Sequence, residues 1–355
     1  MTHPPRFDVP GGETAKVSII DSTMRLSGLP VSSLLEPPLE GFDILPPITT
    51  WSFLVESSTG KKALFDLVCV EMLTESGCDI YVQANVADIL EENGVQPAEI
   101  NSIIWSHHHF DHIGDVSTFP ASTELIVGPG FKDAFCPGYP ANPTSPIREV
   151  DLRGRSLREI NFESDLVLGP FKAFDFFGDG SFYLLNTPGH AIGHLSGLAR
   201  TTTGPDTFIV MGGDLCHHGG ELRPSQYFPL PPSLSNHLSL SDSLRSRLSS
   251  CPGSKVLNDL NVKRGRTASE PFFDPVLVFN KEQAIKTIHE AQRAEAQDNI
   301  FCLFAHDMSI LGVVDMFPET ANNWKAKGWK EKTFWKFLNE LEVAVTANVN
   351  DSVGL

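Results

Sequence analysis

Short apolar runs separated by polar, glycine-rich breaks recur along the chain, and they read as strands far more often than as helices. The runs "TTWSFLVES" and "KKALFDLVCV" flank the turn signal "STGK", so residues 49–70 form a predicted hairpin. Residues 85–94, "NVADILEENG", carry an Asn cap, helical spacing and a terminal Gly, and lead through "VQPAEI" into a strand "NSIIW". Further strands are expected at 123–128, 181–186, 195–200, 207–213 and 300–305, with a long helix at 280–297. Residues 219–275 are rich in Pro and Ser with weak periodicity, and read as an inserted cap or lid with one short helix. The C-terminal stretch "NWKAKGWKEKTFWKFLNELE" has the pattern of one amphipathic helix whose tryptophans dock on the core.

At 355 residues, with 41% hydrophobic and 20% charged positions, the chain has an ordinary globular composition. It is read as a single domain, 1–355, with an N-terminal extension over 1–45. The start lacks a secretory pattern and no apolar run reaches the roughly 20 residues of a membrane span, so a cytoplasmic protein is expected. Cys69, Cys78, Cys136, Cys216, Cys251 and Cys302 show no repeated spacing, which predicts reduced thiols. A formal net charge of −17 argues against nucleic acid and anionic membranes as partners. The one basic cluster, "NVKRGR" at 261–266, reads as a solvated turn.

The chemistry is concentrated in "SIIWSHHHFDHIGDVSTF" (102–119), where His107, His109, Asp111 and His112 form H-x-H-x-D-H on the loop leaving a strand. Imidazole with carboxylate suits zinc, and also iron or manganese. Three later clusters, each just after an expected strand, offer more donors: "NTPGHAIGHLSG" with His190 and His194, "MGGDLCHHGG" with Asp214, and "FCLFAHDMS" with His306. His108 falls outside the pattern. Cys216 and Cys302 read as packing residues, whereas "AFDFFGDGSFY" and "EPFFDP" could wall an apolar pocket.

In this order the motifs make the chain similar to the metallo-β-lactamase superfamily. The resemblance implies an α/β fold, the αβ/βα sandwich of two mixed sheets with external helices. It implies two Zn2+ ions (Fe or Mn also fitting): His107, His109 and His190 on one, Asp111, His112 and His306 on the other, and Asp214 bridging. His194, His218 and Asp307 are then expected behind the ligands. Such a pair of metals would hold a hydroxide and polarise a carbonyl, with Asp111 orienting the nucleophile. The late "HD", His306-Asp307, is like that of bacterial lactonases of the superfamily. Their tyrosine three residues after the bridging aspartate is replaced here by His217, which could still donate to the carbonyl or leaving group. The pattern also looks like fungal members acting on cyclic esters and amides. The implied function is lactone or lactam ring opening on a small apolar or aromatic molecule. An acyl thioesterase is the second reading, ahead of a mononuclear iron dioxygenase or a non-catalytic scaffold; oligomeric state stays open.

Overall fold

Strands buried on both faces need cover on both faces, and here the short apolar runs meet that need by stacking two six-stranded mixed sheets. The computed structural model describes residues 4–68, 79–231, 240–249 and 253–353. The first sheet runs in chain order through β1 (Lys16–Asp21), β2 (Trp51–Glu56), β3 (Lys62–Phe65), β4 (Ile100–Ile104), β5 (Glu124–Val127) and β6 (Leu157–Glu159). Its first two pairings are antiparallel and the rest parallel. The second holds β7 (Val167–Leu168), β8 (Phe171–Asp175), β9 (Phe182–Asn186), β10 (Leu195–Thr202), β11 (Thr207–Met211) and β12 (Ile300–Leu303), antiparallel except for the β11/β12 pair.

Between the sheets, Val17, Phe53, Phe65 and Ile104 of the first meet Phe182, Leu184, Ile209 and Leu303 of the second. Outside the first sheet lies α1 (Val86–Glu92), burying Val86, Ala87 and Leu90 against Leu64 and Ile103. The capping box of Asn85 and Asp88 starts that helix. Outside the second lies the helix Lys281–Glu295, whose Ala284, Ile288 and Ala291 repeat at helical spacing toward Val210 and Ile300. This four-layer order is the αβ/βα sandwich. Among the described residues, no helix is long and apolar enough to cross a membrane.

Three expectations change. Among the described residues, the 219–275 segment holds three helices, Gly219–Leu222, Asp242–Ser249 and Gly253–Lys263, rather than one. Leu244, Leu257 and Leu260 of the latter two share a core with Leu34, Leu39 and Phe42 of the N-terminal extension and with Phe337, Leu338 and Leu341 near the C-terminus. These two were hidden because each offers few apolar positions in a Ser- and Pro-rich stretch: Leu244 and Leu248 in one, Val256, Leu257 and Leu260 in the other. The C-terminal stretch is broken: Gly328, in a left-handed conformation, interrupts it before a helical turn at Trp329–Thr333, and a 3-10 segment at Lys336–Leu341 and a helix at Glu342–Val353 follow. Its tryptophans are nevertheless buried, Trp324 stacking on Phe301 at 5.4 Å. "NVKRGR" turns at Arg264 and Gly265 with Val262, Lys263 and Gly265 exposed, but its arginines are engaged within the chain: Arg264 donates to the Leu260 and Pro37 carbonyls and lies over Phe273, and Arg266 pairs with Asp274. Cys136, Cys216 and Cys302 are free thiols, and Cys69, Cys78 and Cys251 lie outside the described residues, as does the end of the 49–70 hairpin.

Because Leu257 is fully buried in this satellite core, Leu257→Ala should lower unfolding stability by about 2–5 kcal/mol in urea denaturation. A loss under about 0.5 kcal/mol, the range of surface substitutions, would show that the lid is detached from the cooperative core.

Candidate metal centre

All the donor clusters leave the C-terminal ends of strands, and the topology puts those ends together. β3 and β4 are parallel, as are β11 and β12, and β9 runs with β11 because β10 is antiparallel to both. Backbone bonds then tie the two sheets at this edge: the Leu195 N–H donates to Ser106 (2.9 Å), and that of Trp51 to Ala305 (3.0 Å). Two glycines permit the close approach. A Cβ at Gly213, whose φ is +56°, would stand 2.9 Å from Cβ of Ser106 and 3.0 Å from Nε2 of His194; one at Gly128 would fall 1.8 Å from the Gly193 carbonyl oxygen.

After β4 the chain carries His107 and His109, then closes a helical turn at Phe110–Ile113 that places Asp111 and His112 in the second donor group, with the His112 ring 4.2 Å from that of His107. The Trp105 indole N–H, donating to the Ile113 carbonyl at 2.8 Å, holds this loop shut. The donors fall into two groups, His107, His109, His190 and Asp214 in one and Asp111, His112 and His306 in the other, with the ligand atoms of each within 4.8 Å of one another. His190 Nε2 lies 3.1 Å from both His107 Nε2 and His109 Nδ1. Asp214 spans the groups. Its Oδ2 stands 3.6 Å from His107 Nε2 and 3.5 Å from His190 Nε2, while Oδ1 stands 3.1 Å from His112 Nε2 and 3.2 Å from His306 Nε2. Asp111 Oδ2 is 3.5 Å from His112 Nε2 and 3.6 Å from His306 Nε2.

These separations fit a divalent cation, since two nitrogens bound tetrahedrally about 2.0–2.1 Å from zinc stand roughly 3.3 Å apart. The donor set also needs one: His112 Nε2 and Asp214 Oδ1 are buried and face each other without forming a hydrogen bond.

Contacts behind the donors aim them. His112 Nδ1 donates to Asp66 Oδ2 at 2.8 Å, and Asp66 Oδ1 accepts the Ser106 N–H at 2.7 Å. Asp66 holds a left-handed φ of 63°, a strained conformation for a side chain with Cβ. His306 Nδ1 donates to the Thr49 carbonyl at 2.6 Å, and the Thr50 hydroxyl donates to Asp111 Oδ2 at 2.8 Å. His194 donates through Nδ1 to the Thr187 carbonyl and accepts the Asp214 N–H at Nε2. Asp307 caps the turn after His306 by accepting the Ser309 N–H, and its carbonyl accepts the Trp51 indole N–H.

His217 and His218 part company. The His217 ring lies 10° from parallel with His306 at 5.8 Å, its Nε2 3.5 Å from Asp214 Oδ2. His218 turns toward the lid core instead, between Phe273 and Phe337, accepting the Gly220 N–H and facing Glu340 at 3.3 Å. A helix start, rather than a ligand, is what it supports. His108 stacks on Phe135 away from the donors. Asp66, Thr49 and Thr50 escaped the sequence reading, because a strand-terminal Asp or Thr carries no spacing signature; the acid closing "ALFD" was the available sign.

Electrostatics differ between the groups. Burial, reinforced by neighbouring imidazoles, pushes His107 and His190 well below 6.5. Burial also opposes charge on His112 and His306, but Asp214 and Asp111 outweigh it, raising His112 well above 6.5 and His306 to about 9. Asp214, despite burial, is held well below its usual range by His112 and His306.

A metallo-beta-lactamase superfamily model matches residues 45–239. The chain belongs to that superfamily. It is 43% identical over 364 residues to gamma-lactamase FDB1 of Fusarium pseudograminearum, spanning 95% of this chain and 85% of that protein. It is 39% identical to metallo-hydrolase mfmC of Annulohypoxylon moriforme, with 96% and 92% covered. Among solved structures, a quorum-quenching N-acyl homoserine lactone hydrolase matches with a TM-score of 0.55 over 87% of this chain and all of that one, at 19% identity, a likeness of fold alone.

Since His306 is protonated below about 9 in the metal-free protein, zinc added to stripped protein at pH 7.5 should expel protons. Calorimetry in buffers of different ionisation enthalpy reads this directly: release should shrink as pH passes about 9, and affinity should fall as pH drops. Binding without proton release at pH 7.5 would contradict it. Asp66→Ala, leaving His112 unsupported, should weaken metal binding about 10–100-fold in chelator competition.

Proposed function

We propose that this superfamily member is a metal-dependent hydrolase that opens the ring of a small, neutral, apolar cyclic amide or ester. The observation that carries this reading is the space in front of the donors, about 370 Å³, where His109, Asp111, Asp214, His217 and His306 face Leu26, Leu29, Leu34, Ile48, Phe110 and Leu277. Among the described residues its lining holds no Lys or Arg, so away from the metal donors a substrate carboxylate or phosphate would find no cationic side chain to pair with. The wall differs from the sequence expectation. Phe176, Phe177 and Phe182 pack between the sheets and Phe272 and Phe273 in the lid core, whereas the N-terminal extension supplies three of the four pocket leucines, Leu26, Leu29 and Leu34. On this reading the extension and the 219–275 segment belong to one 1–355 unit.

We assign His107, His109 and His190 to one ion, Asp111, His112 and His306 to a second, and Asp214 to both, with zinc the ion best matched to the donors. Two such ions, when bound, supply an activated water and a polarised carbonyl. The chain's own residues do the rest. Asp111, fixed by Thr50, orients the attacking water; His217 faces the leaving atom; the leucines exclude bulk water and strengthen each polar contact. The names of the relatives, gamma-lactamase and metallo-hydrolase, support ring-opening hydrolysis. The thioesterase reading loses ground because the basic cluster it would need for an acidic carrier is engaged within the chain.

The test presents neutral and carboxylate-bearing lactams, lactones and acyl thioesters to metal-loaded and chelator-stripped protein. Neutral rings should be opened at least about 10-fold faster than charged analogues, and His107→Ala or chelation should remove at least about 1,000-fold of the rate. Preferential turnover of thioesters, or ring opening indifferent to chelation, would reject the proposal.

A further inference from the structure

Glu221 is not a metal donor, yet it is 1% exposed beside the site. Its Oε1 accepts the N–H groups of His217 (2.8 Å) and His218 (3.1 Å), closing the turn that presents His217, and lies 3.8 Å from His217 Nδ1. Three buried atoms here have no hydrogen-bond partner: Glu221 Oε2 and both ring nitrogens of His217. The imidazole has little freedom otherwise, stacked on His306 and packed edge-on against His190 at 4.9 Å. Its Nδ1 side therefore faces the Glu221 carboxylate, while its Nε2 lies on the opposite side, 3.5 Å from Asp214 Oδ2, in a residue that lines the pocket in front of the donors. A movement of about 1 Å would close an Nδ1–H···Oε1 hydrogen bond and give the buried Nδ1 a partner.

We propose that Glu221 is a positioning residue for ring opening, pinning Nδ1–H of His217 so that the imidazole exchanges protons with the substrate only through Nε2. This rests on the assignment of His217 to the leaving side of the pocket. The attacking water's oxygen bonds to the carbonyl carbon while one of its protons passes to Nε2. The acyl–nitrogen or acyl–oxygen bond then breaks, its electron pair goes to the leaving atom, and that atom takes the proton from Nε2. A carboxylate behind a histidine holds the tautomer that this relay requires.

Glu221→Gln keeps an oxygen for the two backbone donors but removes the charge. In zinc-loaded protein labelled with 15N at histidine, the His217 ring, identified by its loss in His217→Ala, should carry its proton at Nδ1, and Glu221→Gln should abolish that preference. On any ring substrate that is turned over, Glu221→Gln should lower kcat about 10–100-fold with KM within about twofold, and add no further loss in the His217→Ala background. A wild-type His217 with a bare Nδ1, or losses that multiply in the double variant, would overturn the proposal. The tautomer is read without turnover, so failure of the hydrolase assignment and failure of this one give different results.

Discussion

One buried carboxylate sets the terms for everything around it. Asp214 lies with its two oxygens 3.1–3.6 Å from Nε2 atoms of His107, His112, His190, His217 and His306, where water cannot solvate it. An isolated ionised carboxylate in such a place would cost many kcal/mol. Cationic charge must therefore be supplied on both sides. Protonated His112 and His306 supply part of it in the metal-free chain, and divalent ions would supply it in both donor groups. The rest of the structure serves that arrangement: parallel strand ends converge on one edge, glycines 128 and 213 let loops touch, and Asp66, Thr49 and Thr187 fix the imidazoles from behind.

How much of this was legible depended on how local the signal is. The donors could be read because histidines at H-x-H-x-D-H spacing directly follow an apolar strand, and each later donor also follows a run whose burial demands a strand. The sandwich itself came from the family resemblance that those motifs carry; the apolar runs alone showed only strands with interspersed helices and donors at strand ends. The supporting partners were not legible: Asp66 and Glu221 are ordinary acids in sequence and acquire meaning only when β3 lies beside β4, or when the turn after Asp214 closes. The helices Asp242–Ser249 and Gly253–Lys263 failed to show because each presents only two or three apolar positions among Ser, Pro and charged residues, and the partners that make those positions a core, in 31–45 and 334–345, are visible only in the fold.

The same long-range packing links scaffold to specificity. Leu34 contributes both to the satellite core and to the pocket in front of the donors. The wall that selects a substrate is thereby held by the lid and the C-terminal segments, while the donors are held by the sheets. Substitution in the wall can alter selectivity with the metal donors left in place, as expected when a reactive centre sits on rigid strands and its enclosure on variable connections.

The central claim is that Asp214 joins two ions in one centre. X-ray absorption spectroscopy at the zinc edge, on the wild-type chain and on Asp214→Asn, tests it most directly. The account predicts a metal–metal scattering path near about 3.5–4 Å in the wild type, over a shell of nitrogen and oxygen ligands, and its loss in the variant. A wild-type spectrum of nitrogen and oxygen ligands with no metal–metal path at full zinc loading would contradict it.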